Sequence, residues 1–278
     1  MEINNLREKI QKENVVVLLA PSFPVDFNPD KIIHTLKIFG FKRVVELTFG
    51  AKIVNEHYHK IISERDKKNK SSKFISSVCP LVVSYIKTKH PNYAKSLLPI
   101  MSPMVIMDRI VKKNFELNNI KTCFIGPCIA KKQEAKEFGV DYAITFKEFY
   151  PEYIKIIKNT KIEKLDFDKF YNDFTKIYPI AGGLSKSLHY KNILLKSDVV
   201  SADTNDMIDK VIKKDKIFYD FLFCKGGCLG GPGVNTKAPT IIKEYKIKGY
   251  LNIERHHKIG KRKGTKEYSE GIDFSREF

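Results

Sequence analysis

The sequence predicts an α/β fold of two lobes, each a parallel sheet flanked by helices. Three observations predict it. Short, almost wholly apolar runs such as VVVLLA (15–20) and KTCFIG (121–126) read as strands buried on both faces. Stretches with apolar residues three and four apart follow them, as crossover helices require. Loops rich in breakers, such as APSFP and GPC, stand directly after the strand runs.

The elements follow in order. MEINNLREKIQKEN reads as a polar helix with no apolar h-region, which excludes a secretory signal. VVVLLA is the first strand, and APSFP breaks it. FNPDKIIHTLKIFGF reads as a helix with Asn28 as N-cap, Pro29 at the first position and Gly40 as the stop. Its apolar face is Ile32, Ile33, Leu36 and Phe39. RVVEL (43–47) is a second strand, followed by a helix from about 50 to 64 and the charged loop RDKKNKSSK. KFISSV is a third strand, ending on Cys79-Pro80 before the helix LVVSYIKTKH.

The second half repeats this grammar. KTCFIG ends near Pro127-Cys128, before the helical AKKQEAKEF. YAITF is a short strand and KEFYPEYIKIIK a helix; IYPI leads into AGGLSKSL, and FYDFLF into Cys224. One lobe is expected over about 14–115 and the other over about 118–235, within a domain spanning 1–235. Residues 236–278 read as a polar, basic tail that ends as if more sequence follows.

Composition narrows the function classes. A chain of 278 residues buries a full core. No apolar stretch reaches the roughly 18 residues of a membrane span, and a cytoplasmic location is expected. The net charge is +18, which favours acidic partners, although most lysines read as solvated helix faces. The one concentrated run, KIGKRKGTK (258–266), supports nucleic-acid binding only weakly. Five cysteines in a cytosolic chain point to metal binding or redox chemistry rather than disulfides. Cys123 sits inside a strand run and reads as a small buried hydrophobe.

FLFCKGGCLGGPG (221–233) poses the chemical question. The loop has little to bury Cys224 and Cys228, so a structural reading is weak. A phosphate loop would need Gly-Lys-Ser/Thr, which is absent, and no histidine stands in a motif that marks it as a nucleophile's base. Metal remains. Structural zinc prefers two local C-x₂₋₄-C pairs, whereas Cys79 and Cys128 are each isolated, as cluster ligands can be. The glycine amides of the loop could also point at cluster sulfides. A cluster is favoured over zinc.

Three motifs together carry a resemblance. SVCP around Cys79, GPCIAKKQEA around Cys128 and FCKGGCLGG around Cys224 and Cys228 resemble, in order and spacing, the signatures of the iron-only ([FeFe]) hydrogenase catalytic domain. LAPS (19–22), TFGA (48–51), MSPM (101–104) and AGG (181–183) extend the likeness over about 14–235. The resemblance implies an H-cluster between two lobes: a [4Fe–4S] cube joined to a diiron subcluster with CO, CN⁻ and a bridging dithiolate. Carried over, Cys79, Cys128 and Cys224 hold the cube and Cys228 bridges cube and diiron site. Lys131 donates to a cyanide ligand, and Ala20, Pro21, Ser22, Gly182 and Gly183 line the diiron pocket. An external electron carrier such as an acidic ferredoxin, and hydrogenase maturation proteins, are the implied partners.

The departures bear on activity. The family's proton-relay cysteine precedes the first cube ligand; here that position is Val78, which has no exchangeable proton. On the helix after TFGA, Glu56 is the only acid; Gly126 and Leu222 stand where methionines usually pack, and no C-x₂-C-x₂-C run supplies accessory clusters. This pattern resembles divergent, sensory-type members. The expected function is therefore slow H₂ oxidation or proton reduction, or H₂ sensing, by an oxidoreductase with an impaired relay. The alternative is a non-catalytic [4Fe–4S] protein acting as redox sensor or iron–sulfur assembly factor.

Overall fold

The structure, a computed structural model, describes residues 3–65, 72–170, 174–188, 193–251 and 265–278. Four parallel strands form the first sheet: β1 (Asn14–Leu19), β2 (Arg43–Glu46), β4 (Ile120–Gly126) and β5 (Tyr142–Thr145), in the order β2-β1-β4-β5. Val15 to Leu19 of β1 are buried on both faces, which is why the run shows no alternation. A smaller parallel sheet holds β3 (Phe74–Ile75), β6 (Val199–Ala202) and β7 (Phe218–Phe221), in the order β3-β7-β6.

The expected lobes of about 14–115 and 118–235 interleave instead. β4 and β5 pair beside β1, and β3 crosses to β7. The reason is that β1 hydrogen-bonds on both edges, to β2 on one side and β4 on the other, so the first half cannot complete its own sheet.

Eleven helices are described: α1 (Ile3–Lys12), α2 (Ile32–Phe39), α3 (Thr48–Ser63), α4 (Pro80–Lys89), α5 (Pro103–Asn114), α6 (Ala130–Phe138), α7 (Phe146–Asn159), α8 (Gly183–Ser187), α9 (Asn205–Val211), α10 (Thr240–Leu251) and α11 (Thr265–Ser269). Most lie where the apolar periodicity puts them. α2 begins three residues later than expected from Pro29. The Asn28 side chain accepts the Asp30 amide at 2.8 Å, and its carbonyl accepts those of Lys31 and Ile32, so Asn28 builds a turn before the helix. Gly40 ends α2 at φ 123°, and a Cβ there would meet Ile10 Cγ2 at 2.9 Å. KFISSV pairs as a strand only at Phe74–Ile75; Ser77 turns away, its amide bonded to the Tyr58 hydroxyl at 2.8 Å.

The segment after 235 is not a simple basic tail. α10 buries Ile247 and Tyr250, and the Tyr250 hydroxyl donates to Glu46 Oε1 at 2.9 Å. Residues 274–276 run back along the loop before α5: Met101 N donates to Phe274 O and Arg276 N to Pro99 O. The reason is apolar spacing among the lysines, which gives this segment Ile247, Tyr250 and Phe274 to bury. The charged loop at 66–71, the basic run at 258–264 and His256-His257 lie outside the described residues. No helix among the described residues is long and apolar enough to cross a membrane.

Candidate metal centre

Parallel α/β sheets leave their crevices at the carboxyl ends of the strands. Here both sheets send their strand ends to one place. β1 delivers Ala20, Pro21 and Ser22; β3 delivers Val78 and Cys79; β4 delivers Pro127 and Cys128; and β7 delivers Leu222. These residues line a cleft enclosing about 670 Å³ of empty space, mouth included. Cys228 and Lys131 line it as well.

Cys79 is the N-cap of α4, and Pro80 starts that helix where a missing amide proton costs nothing. All four cysteines are partly accessible, but Cys224 does not line the cleft that Cys79, Cys128 and Cys228 share. Desolvation nonetheless pushes the thiols of Cys79 and Cys228 up, and that of Cys224 up to about 11. The thiols also feel one another: charge on Cys79, Cys128 and Cys224 raises Cys228 further, while Lys131 and, for Cys79, the amides of Leu81 and Val82 oppose the shift. Four sulfurs in mutual electrostatic range in a desolvated place call for a multiply charged cation. Among the described residues no three Cys, His, Asp or Glu side chains close on one point as a single ion requires. Three thiols on one cleft, with a fourth in electrostatic range, fit the four-cysteine ligand set of an iron–sulfur cluster. Cys123 stands apart, fully buried within β4.

Two polar groups face the same space. Ser22 is 1% exposed and its hydroxyl has no hydrogen-bond partner among the described residues, an uncommon cost for a buried group unless something else accepts from it. Lys131, at the first turn of α6, donates to Val78 O at 3.2 Å and to Glu134 Oε2 at 2.5 Å. Glu134 is buried and accepts also from Ser102 Oγ at 2.8 Å and from Arg276 at 3.1 Å. Thiols, a free hydroxyl and a cation thus fit an anionic iron–sulfur group.

Gly182 and Gly183 do not line the cleft. Gly183 lets α8 approach the preceding turn, since a Cβ there would lie 1.9 Å from Ile177 O, and Gly182 adopts φ 72°. The same loop contributes Tyr178 and Pro179 to the lining instead. The glycine amides beside the cysteines are also engaged within the protein: Gly226 N to Asp203 Oδ2, Gly227 N to Cys224 O and Gly231 N to Cys228 O. The glycines serve packing. Gly227 sits at φ 74°, and its Cβ would meet Pro179 O at 2.4 Å. Gly126 leaves room for the Phe124 ring, which lines the cleft. Glu56 lies exposed on the outer side of α3.

Residues 13–232 match the family model described as iron only hydrogenase large subunit, C-terminal domain. Iron hydrogenase 1 of Clostridium pasteurianum is 22% identical over 324 aligned residues, covering 91% of this chain and 56% of that protein. The chain thus spans about half the length of this curated relative. A variant of the [FeFe]-hydrogenase HydA1 from Chlamydomonas reinhardtii superposes with TM-score 0.69 at 14% identity, over 91% of this chain and 89% of that one. HydA(deltaEFG), from a structure of stepwise H-cluster assembly, gives 0.65 at 14% identity with the same coverage.

Proposed function

The chain belongs to the family of the iron-only hydrogenase large subunit, C-terminal domain, and from that premise we propose that it binds an H-cluster and interconverts H₂ with protons and electrons slowly, as a low-turnover hydrogenase or an H₂ sensor. The observation that carries the reading is three thiols, Cys79, Cys128 and Cys228, lining one cleft, with Cys224 in electrostatic range of all three. Cys79, Cys128 and Cys224 are the proposed cube ligands, and Cys228 the bridge to a diiron site. When bound, the group supplies electron storage and the metal site for H₂ ⇌ 2H⁺ + 2e⁻.

The residues supply the rest. Lys131 offers Nζ to an anionic ligand while Glu134 holds it in place. Ser22 offers its free hydroxyl, and Ala20, Pro21 and Leu222 exclude water from the deep end. Val78 fills the relay position without a transferable proton, which is the reason for low turnover. Electrons enter from an external carrier, and the net charge of +18 favours an acidic one.

Maturing the chain with hydrogenase maturation proteins and recording infrared bands of CO and CN⁻, iron content and H₂ turnover tests this. The expected result is both ligand bands and about six irons per chain. About four irons without those bands would mean a [4Fe–4S] protein alone, and would sink the proposal.

A further inference from the structure

Asp220 is the one residue of FYDFLF that contradicts a buried strand, and it does not line the cleft. It lies on β7, the central strand of the smaller sheet, and is 1% exposed. Successive strand residues alternate faces. Tyr219 and Phe221 point into one apolar cluster, so Phe218, Asp220 and Leu222 share the other face. Phe218 packs against the Tyr58 ring at 6.3 Å, and Leu222 lines the cleft. Asp220 is therefore buried between Tyr58 and the candidate centre.

One carboxylate oxygen, Oδ2, accepts the Ser185 amide at 2.9 Å. The other, Oδ1, is buried with no partner among the described residues. A buried carboxylate with a bare oxygen is costly, and protonation removes the cost. Burial pushes its pKa up to about 6, against the opposing pull of Ser185 and of Lys186 on α8. The other titratable groups facing it are Tyr58 of α3 and Tyr178 of the turn before α8, each of which its charge pushes up. Of these two tyrosines, one reaches the cleft and the other stands behind its wall. Tyr178 lines it directly, its hydroxyl donating to Asn55 Oδ1 at 3.2 Å. Tyr58 is bonded to Ser77 Oγ at 2.8 Å, next to Val78.

We propose that Asp220 is the proton-holding group of the cleft, acting through Tyr178, Tyr58 and intervening water in place of a thiol at position 78. Oδ1 takes one proton from water to form O–H, and gives one proton back to an oxygen on the cleft side that passes its own proton on. No electron moves in this step. The inference rests on the proposed H₂ chemistry, but its first test needs no cluster.

Infrared difference spectra of the unloaded chain, stepped across pH 6 in H₂O and in D₂O, read the carboxyl directly. The expected result is a protonated-carboxyl band that grows in below about pH 6, shifts in D₂O and disappears in Asp220→Asn. Asp108, also buried, is bonded to Thr122 and paired with Lys112, so the difference between wild type and Asp220→Asn isolates the Asp220 band. Circular dichroism verifies the fold, and Asp220→Glu should retain a titrating band. A wild-type chain with no such band, or an Asp220→Asn chain that keeps it, overturns the inference and leaves the H-cluster reading intact. Missing CO and CN⁻ bands after loading would sink that reading and leave the Asp220 band standing. In the loaded chain, Asp220→Asn should lower turnover by about 10²-fold and erase the inflection near pH 6; an unchanged rate and profile also overturns it.

Discussion

The proposed low turnover rests on one side chain, Val78. It lines the cleft, 7% exposed, and its carbonyl accepts from Lys131. Val78→Cys trades two methyls for one sulfur, a loss of about one methyl's volume on the cleft wall that overpacks nothing. H₂ turnover per iron should rise by at least about 10-fold, part of what a restored acid/base group is worth. An unchanged rate would show that proton delivery does not limit. Lys131 depends on groups of very different legibility. Glu134 is three residues away in the same motif, but Arg276, which completes the network, lies 142 residues further along. No local pattern announces such a partner. Asp220 did leave a signal, a lone acid in an apolar run, which strand periodicity alone does not interpret.

Among the elements, the glycine-rich loop joins three backbones. Gly227 abuts Pro179, Gly231 abuts Pro127, and Cys228 N donates to Pro179 O at 2.8 Å. Gly227→Ala puts a Cβ at a positive φ and into a carbonyl. It should destabilise the chain by about 1–3 kcal/mol from backbone strain before the collision is counted, read as a lower urea midpoint with unchanged slope. The sequence suggested these glycines for amides aimed at sulfides; in the structure those of Gly226, Gly227 and Gly231 are bonded within the protein, and Gly227 and Gly231 are needed for contact with the Pro179 and Pro127 loops. Strands and helices were legible because buried parallel strands are apolar runs and α helices carry their own caps and periodicity. Gly40 ended α2 as read, while Asn28 did not cap it, because its side chain took a nearer amide.

At the scale of the molecule, the α/β class and the gathering of strand ends followed from the sequence, but the pairing order did not. Which strands become neighbours depends on the non-local edges of β1, on which apolar content is silent. Asp220 also shapes whole-molecule stability. Its pKa is raised from 3.8 to about 6 on folding, so the folded state holds the proton more tightly than the unfolded one. Its contribution is most favourable below pH 3.8 and declines as pH rises to about 6, by about 3 kcal/mol in all. Urea unfolding of wild type and Asp220→Asn between pH 4 and 7 should show the variant gaining relative stability as pH rises. Parallel curves would contradict this.

The interleaved sheets constrain the order of events during synthesis. β3 waits for β7 before it has any strand partner, and Cys228 emerges seven residues after β7 ends. A ribosome-bound chain lacking those residues exposes Cys79 and Cys128 at strand ends with no opposing wall. Loading of the proposed cluster should therefore wait until the segment through Cys228 has emerged, and a protein cut between the two motif regions should leave neither half able to bind iron alone.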